Sequence, residues 1–334
     1  MRIVYVVESM DLSGGVKAIV EQAEGLAGRG HEVAIVTKHP DHSWIPVSVP
    51  LLPVDRFDAS TLPPADVHVA TWFPTVAPVV RAAKARAVFH FCQGYEALYP
   101  NCFGRLDEVE EAYLQPVPKL LVSAHLADLL ARFPGEKLPL RPSLRFADYA
   151  PGVPKEAPAA IPAIGVVGPI ELSIKGVECA IRAVERFRRV RPARLMRASQ
   201  LPLSDAERLL TPPGTYLCRG SVDEMIRWYR ECDLLIHASW PAEGLGLPPF
   251  EAMAAGVPAV IADIPSLRVI PEGVVSRVAP GDEEAMAAAA LELLGNPRLW
   301  RERRERGLAA VREFGLPALL DLLERYFRDA LAAS

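Results

Sequence analysis

Twice along this chain, short apolar runs alternate with amphipathic helical stretches, and a proline-rich stretch separates the two series. Runs at 2–9, 31–37, 66–71, 87–92 and 119–124 read as buried strands. Between them, 17–30, 76–85 and 125–133 carry helical spacing, and the first of these stops at Gly30. The strand–helix–strand order makes parallel units with right-handed crossovers. A second series places strands at 164–169, 193–199, 215–220, 233–239 and 257–263, with helices at 177–190, 204–210, 222–232 and 250–256; from 282 onward the tail is helical. The expected fold class is α/β, with two Rossmann-like doubly wound domains. The stretch 139–162 has no strong period and reads as the linker.

Composition narrows the class. The chain has 334 residues and is 50% apolar, enough for two cores. A net charge of −4 with interspersed acids and bases argues against a nucleic-acid partner. The 5 cysteines are scattered, with no C-x-x-C pair or metal-ligand spacing, so reduced packing cysteines in a cytoplasmic protein are expected. No membrane span and no signal peptide are expected. Arginine outnumbers lysine, which fits a thermophile or a GC-rich genome. The arginine-rich helical segment 297–314 carries Glu302 and Glu305 among its bases and reads as a solvated face.

The stretch 243–258, EGLGLPPFEAMAAGVP, carries the chemistry. It follows a buried strand and leads into a helix closed by Gly256. Such a turn lies at the carboxyl end of a strand, where open α/β sheets bind ligands. Amides at a helix start favour anions, and Gly244 and Gly246 allow close backbone approach. Glu243 and Glu251 bracket the turn and can accept hydrogen bonds from sugar or ribose hydroxyls. Amides for phosphate beside carboxylates for hydroxyls suit a sugar nucleotide.

This stretch resembles the E-x7-E motif of retaining glycosyltransferases of GT-B fold, family 4 (glycosyl transferases group 1). The match runs through Glu243, Gly244, Gly246, Leu247, Pro248, Glu251, Ala252, Met253, Ala254, Gly256 and Pro258, with Leu245 in place of Phe. The resemblance implies two domains facing a central cleft: 1–146 on the acceptor side, with helix 316–334 packing back on it, and 147–315 binding the nucleotide sugar. It implies that Glu251 holds the ribose, Glu243 the donor sugar near its 3-hydroxyl, and the amides of Gly244, Leu245, Gly246 and Leu247 sugar and phosphate. It also implies a front-face displacement that needs no metal and no cofactor, the nucleotide-diphosphate sugar being a co-substrate. The acceptor would be a glycan, a lipid-linked or a small molecule, and peripheral membrane contact is compatible with it.

Further candidates follow from the same resemblance. The segment 165–176 keeps Lys175 and Gly176 but has Pro169 where the family has an arginine, and one extra residue before the lysine. Lys175 is the expected cation for the leaving diphosphate, catalytic together with Glu243. The glycine pair at 14–15 is similar to the family's N-terminal glycine loop, which puts Gly15 on the donor side; Lys17 beside it adds charge or is solvated. Gln93 takes the place of a family histidine, and Q-G-Y-E (93–96) is similar to a Q-D-Y-E variant. Gln93, Glu96 and Trp72 are the acceptor-side candidates; Phe73 is an aromatic candidate or core, and His90 a packed strand histidine. Arg219, after a strand, is placed to stack on the base.

Rival readings keep other roles for the same fold: an epimerase, a phosphorylase, or a non-catalytic sugar-nucleotide-binding partner, the last favoured by Pro169 and Gln93. A dinucleotide oxidoreductase lacks its G-x-G-x-x-G after the first strand.

Overall fold

A computed structural model describes residues 1–143, 145–150 and 155–333. The chain divides into two compact units, Met1–Leu144 with Phe314–Ser334, and Arg145–Glu313. Part of the stretch expected as a linker, at 144 and 151–154, lies outside the described residues.

The first unit begins β1 (Arg2–Ser9), α1 (Gly14–Gly28), β2 (Glu32–His39), β3 (Leu51–Pro53), β4 (Ala65–Ala70), α2 (Phe73–Ala82) and β5 (Ala85–Cys92). It continues through two short 3₁₀ turns to α3 (Leu106–Leu114), β6 (Lys119–Leu121), α4 (His125–Leu129) and β7 (Lys137–Pro139). Its 7 strands run in the order β3-β2-β1-β4-β5-β6-β7, each pair parallel. Residues Ile3–Val7 of β1 are 0–3% exposed, as a central strand covered on both faces requires. The order reverses between β1 and β4, so the loops after these strands open the ligand crevice of such a sheet.

The second unit runs α5 (Phe146–Tyr149), β8 (Ala163–Val167), α6 (Val177–Arg188), β9 (Arg194–Ser199), α7 (Asp205–Leu210), β10 (Thr215–Cys218) and α8 (Val222–Glu231). Then come β11 (Leu234–His237), α9 (Pro248–Ala254), β12 (Ala259–Ala262), β13 (Ser276–Val278), α10 (Glu283–Gly295) and α11 (Pro297–Ala310). Its parallel order is β10-β9-β8-β11-β12-β13, reversing between β8 and β11. Local chemistry sets the helix starts: a reciprocal Ser221–Glu224 capping box opens α8, and Asp282 and Asn296 cap α10 and α11. Trp300 of α11 is fully buried and donates from Nε1 to the Asp233 carbonyl at 2.7 Å.

The last helix, α12 (Leu316–Ala333), packs on the first unit. Its stripe Leu319, Leu320, Leu323 and Phe327 is buried. Gly25 makes room for it: a Cβ there would meet Leu320 Cδ1 at 2.7 Å. Phe327 lies 5.0 Å from the Phe89 ring, and at the other end Arg29 reaches Asp321 at 2.7 Å and His31 reaches Glu324 at 3.0 Å.

Several local expectations change. The glycine pair does not form a loop before α1 but its first turn: Ser13 caps the helix, its Oγ accepting from the Val16 amide at 3.1 Å. Strands β3, β7 and β13 and helix α3 were not expected; the three strands have only 3 residues each, too few to show a period.

Phe327→Ala should weaken the first unit by roughly 3–5 kcal/mol, the usual result of emptying a buried aromatic site. Two-probe urea unfolding should show the transition of the first unit move to lower urea while that of the second unit stays. Unchanged transitions would mean that α12 does not complete this core.

Candidate functional site

The pairing Leu235↔Gly165 puts the ends of β8 and β11 level at the point where the strand order reverses. Each strand runs into a glycine-bearing turn. After β8 the chain makes a short 3₁₀ turn, Ser173–Lys175, and Gly176 at φ 59° admits it to α6. A Cβ on Gly176 would sit 2.0 Å from the Ala238 carbonyl oxygen, so only glycine lets the two turns touch there. The Trp240 amide donates to the Ile174 carbonyl at 2.8 Å and stitches them together.

This contact brings together the two residues expected to be catalytic. Lys175 Nζ donates to Glu243 Oε2 at 2.7 Å, and Ser239 Oγ donates to the same oxygen at 3.1 Å. Glu243 is 6% exposed. Burial pushes its carboxyl up, but Lys175, His237 and the two donated hydrogen bonds outweigh that and hold it below the usual range. Beside it, His237 is 3% exposed and its Nε2 has no partner among the described residues. Burial first, and then Lys175, push His237 down to about 4, against the pull of Glu243. His237 is therefore a neutral imidazole at pH 7. It was not singled out in the sequence, because a histidine inside an apolar strand reads as core.

The turn between Glu243 and α9 keeps its backbone donors. Among the described residues, the amides of Gly244, Leu245, Gly246 and Leu247 make no hydrogen bond to a protein acceptor. Gly246 stands at φ 77°, and a Cβ there would lie 3.1 Å from His237 Nε2 and 3.5 Å from Glu243 Cγ. The anion-binding amides expected at the helix start are absent from its first two positions, since α9 opens on Pro248 and Pro249. The donors lie in the turn itself.

Glu251, inside α9, is 9% exposed, and its two oxygens accept from Tyr149 and Tyr229 hydroxyls, each at 2.8 Å. Two of its roughly four acceptor directions are thus taken by tyrosines. Arg219 is exposed, at φ 52°, and its amide donates to the Ser199 carbonyl at 2.8 Å. It follows the outermost strand, β10, three strands from β11.

In the first unit, Gln93 folds over the start of α1: a Cβ on Gly15 would lie 2.4 Å from Gln93 Oε1. Trp72 caps α2, 36% exposed, edge-on to Phe73 at 5.5 Å. Phe73 is core, 2% exposed. Glu96 turns inward instead of facing solvent. It is 4% exposed and accepts from the Tyr113 hydroxyl at 2.6 Å. Burial raises its pKa to about 7 against that hydrogen bond. His90 is fully buried against Tyr113, and burial, then Lys119, lower it to about 3. Lys17 is buried and pairs with Glu21 at 3.4 Å, so it is not a solvated side chain. No three His, Cys, Asp or Glu side chains group as metal ligands among the described residues, and none of their helices is long and apolar enough to cross a membrane.

Residues 161–296 match the family of glycosyl transferases group 1, a span that contains the paired turns and both glutamates. Sucrose-phosphate synthase from Thermosynechococcus elongatus superposes on the whole chain with a TM-score of 0.77, at 18% identity over 100% of both chains. The fold is GT-B. A glycosyltransferase from Rickettsia africae shares this GT-B fold at 15% identity, TM-score 0.75, over 100% of this chain and 99% of that one. So does Anabaena HepE, solved in complex with UDP and glucose, at 13% identity and TM-score 0.76 over 98% and 100%. No curated protein sequence matches the chain.

The inward-facing Glu96 makes a pH prediction. The folded protein holds this proton more tightly than the unfolded chain, whose glutamates titrate near 4.5. Its stabilising contribution is complete below that value and is lost as pH rises through about 7. Glu96→Gln is neutral at every pH and keeps an acceptor for Tyr113. Melting temperatures from pH 5 to 8 should fall in the parent relative to Glu96→Gln; parallel profiles would show that Glu96 is ionised throughout.

Proposed function

We propose that this protein is a retaining glycosyltransferase that moves a sugar from a nucleotide-diphosphate sugar to a hydroxyl acceptor. The observation that carries the reading is the Lys175–Glu243 pair at 2.7 Å, set beside a turn whose four amides have no protein acceptor among the described residues. A diphosphate needs a cation and donors; a sugar needs a buried carboxylate. Both occur where two neighbouring turns meet, inside the span that matches group 1 glycosyl transferases. In the proposed step the bond from the anomeric carbon to the leaving phosphate breaks as the acceptor oxygen attacks on the same face. The acceptor proton passes to the leaving phosphate. Lys175 leaves Glu243 for the diphosphate, and Glu243 accepts from a hydroxyl of the donor sugar. Glu251 accepts from the ribose and Arg219 stacks on the base. Gly15, Gln93 and Trp72 serve the donor and acceptor sides from the first unit, and Glu96 supports that loop from inside.

The UDP and glucose bound by HepE make UDP-sugars the first donors to test. A thermal-shift screen of UDP-, GDP-, ADP- and dTDP-sugars identifies the base by the ligand that stabilises the fold. A second reading, binding without turnover, is favoured by Pro169 standing where the family has a cation. It predicts a thermal shift without donor hydrolysis or transfer.

Two substitutions test the site. Glu251→Gln should weaken binding of the free nucleoside diphosphate about tenfold or more, since charge-assisted hydrogen bonds contribute roughly 1.5–3 kcal/mol. Lys175→Ala should lower kcat by a larger factor than it raises the donor KM, because charge builds on the diphosphate as its bond breaks. Calorimetry and steady-state kinetics on variants that melt like the parent decide both. Parental affinity for Glu251→Gln and normal turnover for Lys175→Ala would sink the assignment. Turnover should also survive EDTA; a loss restored by Mn²⁺ or Mg²⁺ would contradict the metal-independent route.

A further inference from the structure

Arg197 lies on β9 with 0% exposure, and its guanidinium points under the turn that follows β8. Nη1 donates to the Val166 carbonyl at 2.6 Å and Nη2 to the Gly168 carbonyl at 2.7 Å. Its Nε donates to Glu207 Oε1 at 2.5 Å, and Nη2 also reaches Glu207 Oε2 at 3.2 Å. Glu207 is itself 1% exposed, in α7. A buried ion pair of this kind gives little net stability over well-packed apolar residues, because both charges must be stripped of water. With a further bond from Nη1 to the Ala198 carbonyl at 3.4 Å, the 5 backbone and carboxylate bonds of Arg197 therefore call for another account.

Gly168 gives one. It stands at φ 113°, a conformation glycine adopts readily. A Cβ built on it would lie 3.5 Å from Lys175 Cγ and 3.6 Å from Lys175 Cβ, so the lysine stem rests on this glycine. The Gly168 amide is fixed by the Ala198 carbonyl at 2.9 Å, and its own carbonyl by Arg197. A continuous series of contacts thus runs Glu207, Arg197, Gly168, Lys175, Glu243. We propose that Arg197, oriented by Glu207, is a positioning residue that holds the Gly168 turn and so sets where the Lys175 ammonium stands. The inference rests on the reading of Lys175 as the diphosphate's cation for its functional consequence, though not for its geometry. Pro169 makes the need plain. With no arginine on the turn itself, Lys175 is the cation it presents, and a shift of about 1 Å in such a group can lower turnover on the order of a hundredfold.

The test removes the whole ion pair and leaves no orphaned charge. Arg197→Met/Glu207→Leu, Lys175→Ala and the triple variant are compared with the parent. The paired variant should melt within a few degrees of the parent. Amide exchange should speed up about tenfold in the 168–176 turn, with β8 and α6 unchanged. With the nucleotide sugar that stabilises the parent, kcat should fall about tenfold and donor KM little. On the Lys175→Ala background the same pair of changes should alter kcat less than about twofold, which is coupling that a merely structural role would not give. Arg197→Lys keeps a charge for Glu207 but cannot reach both carbonyls, and should restore turnover partly; it also serves if the paired variant does not fold. A turn that exchanges as in the parent overturns the inference, whatever the kinetics. Equal losses on both backgrounds overturn it too. A parent that binds no nucleoside diphosphate overturns the functional reading instead, and the exchange measurement still decides the positioning role.

Discussion

A carboxylate taken out of water stays ionised only if a cation and donors meet it, and in the second unit that requirement falls on Glu243. Burial alone would raise its pKa; Lys175 first, then His237 and Ser239, outweigh that and hold it below the usual range. The condition is met because two strand ends that are distant in sequence become neighbours where the sheet reverses. Gly176 must be glycine for its turn to slip under the Ala238 carbonyl, and the Trp240–Ile174 bond then locks the approach. Without that backbone contact Lys175 would not reach Glu243. The site is thus a consequence of doubly wound topology plus one left-handed glycine.

The first unit has the same topology and a buried glutamate after its own strand β5, yet the chemistry goes the other way. Glu96 accepts from a tyrosine hydroxyl, and burial carries it up to about 7 against that bond. Glu243 meets an ammonium at 2.7 Å and is held low. Two glutamates of similar burial are therefore shifted in opposite directions, and the difference lies in what stands beside them. An ionised carboxylate is an acceptor only, whereas a protonated one also donates. Glu243 is thus an acceptor only, whereas Glu96, when protonated, can also donate.

The alternating pattern made the two parallel sheets legible in the sequence, and the long strands came out at nearly their observed positions: β1 spans the expected 2–9. Three-residue strands such as β13 carry no period and could not be read. The turn residues at 243–251 stood out because two acids around a glycine turn match, residue by residue, the E-x7-E motif that the stretch resembles. What stayed hidden was everything that depends on neighbours from other strands. His237 and Arg197 sit in runs that read as plain buried strands, and nothing local says that a histidine faces Glu243 or that an arginine supports Gly168. The tyrosines on Glu251 were equally invisible, since Tyr149 is 102 residues away in sequence. The inward turn of Glu96 escaped because the Tyr113 hydroxyl that receives it lies on a helix the pattern did not announce.

Pro169 raises the remaining question of charge. A nucleoside diphosphate brings more negative charge than one lysine can balance, and that lysine is already paired with Glu243. If Lys175 turns to the phosphates, Glu243 loses its nearest cation while remaining buried. Two features ease this. His237 stands beside Glu243 as a neutral base whose protonation Lys175 now opposes, so departure of the ammonium removes that opposition and leaves the attraction of Glu243. The amides of residues 244–247 supply donors that carry partial positive charge without a side chain, and need no counterion of their own. A site with one cation has less charge to set against a diphosphate than one with an arginine beside the lysine, but its backbone dipoles are already oriented. Electrostatic stabilisation of a leaving group depends more on such preorganisation than on total charge. On the proposed reading, loss of the family's arginine therefore shifts the work from side-chain charge to a correctly held turn, and the accuracy of that turn becomes the quantity on which turnover depends.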